Sequence, residues 1–241
     1  RQRQMCIRDS NHTNQILYAE LSSSGWSEPT VLTENLAAVT ELTAGEFNGK
    51  FFTAFAEDID NDLTTADGKR LCALGTNQKV YVVKEGNVSG IKFRTSPESG
   101  NGELFWYQDG TIQSTDNLTV CKKVIASDNQ TLTNEFDLIG DKLIWIAADS
   151  EQSSNLYGCK YDTESGTWGN AVAYSNQENY LENMTIANCK GELLVAANCN
   201  RVSIASEDTT TSVNCLVWGT ISDVENLTLH TVTFSQYDAL K

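Results

Sequence analysis

The sequence predicts an all-β fold built from repeats, and three observations support this. A glycine turn followed by polar residues and then by an apolar and aromatic run occurs four times, at residues 48–55, 101–107, 140–147 and 190–197. Its spacing of about 40 to 55 residues is that of a four-stranded propeller blade. No segment keeps a helical period of 3.6 residues over about eleven positions. The predicted fold is therefore a β-propeller or a propeller fragment.

A second motif has the same period. Leu17 and Tyr18 are followed by Trp26, and Leu156 and Tyr157 are followed in the same way by Trp168. The two copies lie about 140 residues apart, which is three periods of roughly 46 residues. Two motifs at different phases of the repeat thus indicate one period.

Each predicted blade begins with a strand before the glycine turn. The second strand follows the turn and is continuously apolar, as expected for burial on both faces, and the outer two strands alternate more. We expect about four four-stranded blades plus a half blade within a repeat domain of residues 14–235, followed by a tail at 236–241. The half blade lies at 15–33 and the full blades at 37–85, 88–127, 131–176 and 180–234. Because the half blade lacks two inner strands, we expect further blades or domains outside this chain. A β-sandwich array is the alternative architecture.

The first ten residues differ from the rest, because they are basic and fit no repeat. They resemble a translated sequencing-adapter read. We therefore expect residues 1–13 to be a non-native or disordered leader.

Composition restricts the class of partner. The 241 residues suffice for a sizeable core, and the net charge of −15 disfavours nucleic acid and anionic membrane surfaces. No apolar run approaches the roughly 18 to 20 residues of a membrane span, so no membrane insertion is expected. An extracellular or cell-surface location suits this balance of charge.

The seven cysteines form no C-x-x-C pair, and the chain has two histidines, which makes a zinc site a poor interpretation. A hairpin centred near Glu207 would bring Cys199 opposite Cys215, and this pair is the candidate disulfide. The remaining strand cysteines are expected to be small buried side chains, namely Cys72, Cys121, Cys159 and Cys189.

An acidic segment at residues 57–68 is the candidate metal site. Carboxylates at alternate positions of a tight loop can converge on one hard cation. Leu63 and Lys69 stand where an EF-hand has its glycine and its bidentate glutamate, so that motif is excluded. The alternative is a solvated acidic loop. The predicted calcium ligands are Asp58, Asp60, Asp62 and Asp67.

The surroundings of Trp26 and Trp168 resemble the Asp-box turn of sialidase-type propellers, S-x-D-x-G-x-x-W, although the spacing from glycine to tryptophan differs. Both side chains are expected to be structural, and Trp106 and Trp145 are expected to lie in the core. Over residues 15–234 the chain resembles the degenerate-repeat propellers of large secreted or cell-surface bacterial proteins. This resemblance implies a non-catalytic recognition module that binds a glycan or a protein ligand.

Catalytic interpretations have less support. Sialidase chemistry needs several arginines, and outside the first ten residues the chain has Arg70, Arg94 and Arg201. No pair of glycosidase carboxylates and no nucleophile or phosphate-binding motif can be selected. The sequence therefore predicts a recognition module with no assigned catalytic residue. The alternatives are a fragment of a propeller glycosidase or sialidase-like enzyme, and a structural spacer.

Overall fold

The computed structural model describes residues 2–10, 13–47, 49–61, 65, 68–75, 78–96, 100–126, 131–150, 153–173, 180–189, 192–206, 209–221 and 227–233. All regular elements in these ranges are β-strands, which confirms the all-β class. None of the described segments is a helix that could span a membrane. The chain divides into two compact units, one of Arg1–Thr95 with Gly100–Lys123 and the other of Ser96–Ser99 with Val124–Lys241.

The first sheet of unit 1 is built around β2, which pairs antiparallel with the other three strands. Its strands are β1 (Gln2–Ser10), β2 (Thr13–Ser22), β3 (Gly25–Trp26) and β4 (Thr30–Leu36). The backbone of residues 2–10 forms β1, whose N–H and C=O groups pair with the edge of β2. The expectation that residues 1–13 are a non-native or disordered leader stays a prediction.

The second and third sheets are four-stranded meanders with strands in sequential order. The second contains β5 (Ala38–Phe47), β6 (Lys50–Asp58), β7 (Lys69–Leu74) and β8 (Val80–Glu85). The third contains β9 (Val88–Thr95), β10 (Gly102–Gln108), β11 (Thr111–Thr115) and β12 (Lys122–Ala126). As the sequence predicts, the apolar runs after the glycine turns are buried, with Phe55 in β6 and Trp106 in β10 fully enclosed.

Unit 2 contains two sheets with the same meander order. The fourth sheet consists of β13 (Thr131–Ile139), β14 (Lys142–Ser150), β15 (Ser153–Asp162), β16 (Thr167–Trp168) and β17 (Val172–Ala173). The fifth consists of β18 (Tyr180–Cys189), β19 (Glu192–Ser206), β20 (Thr209–Ile221) and β21 (Leu227–Thr233). The four predicted full-blade segments thus each form one sheet, while the number of blades in the whole protein stays a prediction.

The tryptophan motif marks an outer strand that is split into two short pieces. In the first sheet β3 and β4 both pair with β2, and in the fourth sheet β16 and β17 both pair with β15. Trp168 packs its ring edge against Tyr161 at 5.3 Å between centroids, whereas Trp26 is 49% exposed. Trp106 and Trp145 are buried, which confirms their predicted core role.

Neighbouring sheets within unit 1 pack face to face through β5 and β9. The Phe93 ring lies directly against the backbone of two glycines. A Cβ added to Gly45 would be 1.9 Å from Phe93 Cδ1, and one added to Gly102 would be 2.3 Å from Phe93 Cζ. Phe47 and Phe52 surround the same ring at 6.5 and 6.4 Å between centroids. Glycine is needed at these two positions for close approach rather than for turning.

The first strands of the second to fifth sheets are interrupted by β-bulges. In β9, Gly90 and Ile91 together oppose the single residue Trp106, and Gly90 takes the left-handed conformation with φ of 62°. A bulge removes backbone N–H groups from the ladder, so they need another acceptor. The Glu41 carboxylate of β5 supplies it, accepting from Gly90 N at 3.0 Å and from Ile91 N at 2.8 Å.

Unit 2 uses the same device. In β18, Asn183 and Met184 oppose Ala197, and Asn183 has φ of 53°. The carboxylate of Glu135 in β13 accepts from Met184 N at 3.2 Å. We call this interaction, in which a glutamate of one first strand accepts from the bulge of the next, the carboxylate clamp.

We expect Glu41→Gln to lower the free energy of unfolding by about 1–3 kcal/mol, because one oxygen that accepts an N–H is replaced by an amide that cannot accept it. Glu46→Gln is the matched control, since Glu46 is exposed on the same strand, and it should change stability by about 0.5 kcal/mol or less. Urea unfolding measures both, and hydrogen exchange should become faster at Gly90 and Ile91 in the first variant alone. Equal stability of the two variants would contradict the clamp.

Gly45→Ala should cost about 1–3 kcal/mol, because the new methyl overlaps the Phe93 ring. Phe93→Leu should be destabilising alone through the lost ring contacts but should cost less in the Gly45→Ala background. Urea unfolding of both single variants and the double variant gives the coupling energy. Strictly additive losses would show that the two positions do not touch.

Candidate functional site

A cleft of 210 Å³ lies in unit 1 between the first and second sheets. Two aromatic side chains, Tyr18 from β2 and Phe51 from β6, form one part of its wall, with Leu32 and Leu74 beside them. Its polar groups come from Thr53, Gly75 and Gln78. It is therefore a mostly apolar concavity with a few polar groups, the usual composition of a small-ligand site.

The two aromatic rings are held in place by their surroundings. Tyr18 and Phe51 lie 5.5 Å apart between centroids at an angle of 53°. The Tyr18 hydroxyl donates a hydrogen bond to the carboxylate of Glu20, which fixes the direction of the ring. Phe51 follows the β5–β6 turn, where Gly49 has φ of 73°. The rings are thus fixed by a hydrogen bond and a tight turn.

Gln78 provides the amide at the rim of the cleft. It lies in the β7–β8 turn with φ of 59°, a backbone conformation that is uncommon for a residue other than glycine. The turn is closed by backbone hydrogen bonds from Gln78 N to Gly75 O at 3.0 Å and from Gly75 N to Lys79 O at 3.3 Å. The exposed amide has no hydrogen bond to the described residues, so its donors and acceptor face solvent or a ligand.

The equivalent turn in the third sheet is closed differently. There the Asn117 side-chain oxygen accepts from Thr119 N at 3.0 Å and from Val120 N at 2.8 Å. Its amide oxygen is thus used to build the turn itself. Of these two outer turns, the one in the second sheet is the one that presents its amide at a cleft.

The predicted metal ligands fall in and after β6. Asp58 is fully buried, and neither of its carboxylate oxygens has a hydrogen-bond partner among the described residues. A Cβ added to Gly68 would lie 2.9 Å from Asp60 Oδ2 and 3.3 Å from Asp58 Oδ1, so both carboxylates converge over this glycine. The proximity of the Asp60 carboxyl, followed by burial, raises the pKa of Asp58.

The other two predicted ligands, Asp62 and Asp67, lie outside the described residues. In the described ranges no group of three or more His, Cys, Asp or Glu side chains is arranged to hold a metal. The structure therefore brings Asp58 and Asp60 together, and the four-residue calcium site stays a prediction.

The β6–β7 connection, which carries Asp60, is hydrogen-bonded to the segment that enters the second sheet at the start of β5. Asn61 accepts from Ala38 N at 2.8 Å through its side-chain oxygen, and the Glu57 carboxylate accepts from Ala37 N at 3.0 Å. Ile59 N donates to Gly68 O at 3.0 Å across the loop. The β6–β7 and β4–β5 connections are thus joined.

Two arginines of unit 1, Arg70 and Arg94, are used in internal ion pairs. Arg70 donates through Nε and a terminal nitrogen to Glu57 Oε2 at 2.9 and 2.8 Å. Arg94 does the same to Glu103 Oε2 at 2.9 and 2.7 Å and lies 5.1 Å from the centre of the Phe105 ring. A sialidase site needs its arginines free for a substrate carboxylate, and these two are engaged elsewhere.

The candidate disulfide lies on the β19–β20 hairpin. The sequence predicts these cysteines on the two strands of one hairpin, and the described strands extend to Ser206 and from Thr209. The register places Cys199 opposite Cys215. Directly opposed residues have Cα atoms about 4.5 to 5.5 Å apart, which is in the range for disulfides. The side chains are outside the described part, and the disulfide stays a prediction.

A second cleft, of 330 Å³, lies in unit 2 beside the β15–β16 turn. Burial opposes ionisation of Asp141, yet hydrogen bonds and charges from Lys160 and Lys142 hold its pKa below the ordinary value. Asp162 also has a lowered pKa, because it accepts from the Ser165 hydroxyl and from Glu164 N. A glycosidase acid needs a raised pKa, so these carboxylates suit a structural role.

Sequence reasoning missed the cleft residues Tyr18, Phe51 and Gln78. The Leu-Tyr motif marked Tyr18 as a repeat position, but which side chain of the second sheet would face it depends on packing between sheets. Glu41 and Glu135 were missed too, although each is a carboxylate inside a strand before a glycine turn. That pattern was the available signal.

No protein-family model matches this chain, and no curated protein sequence matches it significantly. Among solved structures it is similar to a Mycobacterium tuberculosis puromycin-hydrolysing peptidase, with 9% identity, a TM-score of 0.49, and coverage of 96% of this chain and 45% of that one. It is also similar to the tricorn protease, with 9% identity, a TM-score of 0.28, and coverage of 91% and 28%. This chain spans less than half the length of either protein, and likeness at this level assigns neither a fold nor an activity.

We expect Cys72 to resist alkylation in the folded protein, whereas Cys121 reacts. Burial, followed by the Glu57 carboxylate 3.7 Å away, raises the pKa of the Cys72 thiol to about 12. Raising the pH to about 9 therefore leaves this thiol neutral and unreactive, because the thiolate is the nucleophile. Native iodoacetamide labelling with peptide mass spectrometry measures both sites, and half-buried Cys121 is the internal control. Rapid labelling of Cys72 in folded protein would contradict its burial.

Proposed function

We propose that the sheets are blades of a β-propeller and that the chain is a non-catalytic recognition module. Its ligand is a carbohydrate ring bound in the cleft of Tyr18, Phe51 and Gln78. The module belongs to a larger secreted or cell-surface protein that contributes further blades. The proposal rests on the cleft and does not depend on the structural similarities.

The observation that supports a sugar ring is the combination of the Tyr18 and Phe51 rings with the Gln78 amide, which has no hydrogen bond to the described residues. Aromatic rings present an electron-rich face, to which the C–H groups of a sugar ring can pack. Gln78 carries donors and an acceptor at the rim for sugar hydroxyls. The cleft of 210 Å³ equals about seven water volumes, which suits one ring rather than a long segment of protein.

A binding role is better supported than catalysis. Glycoside hydrolysis requires two carboxyl groups at the scissile bond, and the side chains that line this cleft include no carboxylate. Arg70 and Arg94 are paired with glutamates, which weakens the sialidase-like alternative. A spacer would have no use for an unpaired amide beside two fixed rings.

Gln78→Gly tests the proposal. Glycine accepts the φ of 59° without strain, so the variant should fold while it loses the amide. We expect roughly tenfold weaker binding to the best ligand from a glycan array, the loss of about one hydrogen bond. Isothermal titration calorimetry on the full chain gives the Kd.

Asp109→Gly is the matched control, because Asp109 is an exposed residue with φ of 49° in the β10–β11 turn. It should bind like the parent protein. A blank array with cooperatively folded protein would favour a spacer or a protein ligand, and equal affinities of the two variants would remove Gln78 from the site. Hydrolysis of chromogenic glycosides by the purified chain would favour an enzyme fragment.

A further inference from the structure

We infer that Asp58 and Asp60 are the carboxylate pair of a Ca²⁺ site that closes the β6–β7 connection of unit 1. The inference is independent of the proposed carbohydrate cleft, which lies at the other end of the second sheet, beside the β5–β6 and β7–β8 turns. The two can therefore succeed or fail separately.

The first argument is the isolation of Asp58. It is fully buried, and both of its carboxylate oxygens are without hydrogen-bond partners in the described residues. Lys69 lies opposite it in the strand register, but no hydrogen bond reaches either oxygen. Buried carboxylates are normally paired, hydrogen-bonded or bound to a metal. Among the described residues, Asp58 therefore has only the like-charged Asp60 carboxyl beside it and lacks the donor or cation that its burial demands.

The preceding residue shows what a satisfied acid looks like on the same strand. Glu57 is 4% exposed, and its carboxylate accepts from Arg70 and from Ala37 N. Both acids end β6, yet the described part of the chain supplies donors to Glu57 and none to Asp58. A bound cation would give the Asp58 carboxylate the positively charged partner that Arg70 gives Glu57.

The second argument is convergence. Asp58 Oδ1 and Asp60 Oδ2 both approach the space above Gly68, where an added Cβ would come within 3.3 and 2.9 Å of them. Gly68 has φ of 77°, and Asn61 has φ of 59°, so the backbone bends tightly around this point. Two like charges brought this close favour a counter-charge between them.

The identity of the ion follows from the ligand atoms. Both side chains offer hard carboxylate oxygens, and no histidine or cysteine joins them in a described group of three or more potential ligands. Such oxygen sites on irregular loops suit Ca²⁺, which accepts variable geometry and completes its shell with carbonyls and water. Mg²⁺ demands a stricter octahedron and should bind more weakly.

The experiment compares the parent chain with Asp58→Asn, which keeps the shape and removes the charge. After treatment with EDTA, CaCl₂ at a hundredfold excess over Kd should raise the Tm of the parent chain by about 5 °C or more. Asp58→Asn should lose this rise, while its Tm in EDTA should not fall, since the substitution removes an unpaired buried charge. Calorimetric titration with CaCl₂ measures binding directly.

Two further variants complete the design. Asp60→Asn alters the exposed partner and should weaken Ca²⁺ binding at least tenfold in an intact fold. Asp109→Asn makes the same change of charge at a distant turn and should bind Ca²⁺ like the parent. Absence of binding heat together with identical Tm in EDTA and CaCl₂ would overturn the site and leave a carboxyl pair that shares a proton. Undiminished binding by Asp58→Asn would also overturn it.

Discussion

Unpaired backbone N–H groups at the bulges of the first strands are the constraint on which the packing of the sheets depends. A bulge lets a strand bend and twist away from a flat ladder, but it leaves donors that cannot be buried without an acceptor. In unit 1 the acceptor is Glu41 for Gly90 and Ile91, and in unit 2 it is Glu135 for Met184. The carboxylate clamp thus makes the bulges of β9 and β18 compatible with a close neighbour.

Close approach in unit 1 then follows from the clamp and from small residues. With Glu41 bonded across to β9, the strands β5 and β9 lie near enough for the Phe93 ring to rest on Gly45. Apolar burial supplies the driving force through residues such as Leu104 and Trp106. The clamp does not replace this force but sets where the apolar faces meet, because a hydrogen bond is directional and hydrophobic contact is not.

The sequence predicted the parts of the fold that depend on local pattern. Strand type and sheet boundaries follow from the glycine turns and from the continuous apolar runs of β6 and β10, because the pattern of buried positions is written along each strand. The clamp and the cleft depend on which side chains of different sheets meet, and periodicity within one strand carries no such information. Asp58 is an intermediate case, since its spacing from Asp60 was visible but its burial without a partner was not.

Part of the acidic character of the chain has a structural explanation at buried and half-buried positions. Half-buried Glu41 and Glu135 are satisfied by backbone N–H groups, whereas Glu57 and Glu103 are satisfied by arginines. Each of these four carboxylates thus has a hydrogen-bond donor. Buried Asp58 has none among the described residues, and this distinguishes it from the other four acids.

The outer turns of the second and third sheets also differ in whether a side-chain amide is hydrogen-bonded. The side-chain oxygen of Asn117 accepts hydrogen bonds within its own turn, whereas backbone hydrogen bonds close the turn at Gln78. The Gln78 amide has no hydrogen bond to the described residues. In a repeat fold the copies share one framework, so we expect a binding site where the side chains of one copy depart from the pattern of the others. Gln78 beside the rings of Tyr18 and Phe51 is such a departure, and Asp58, which no donor among the described residues reaches, is another.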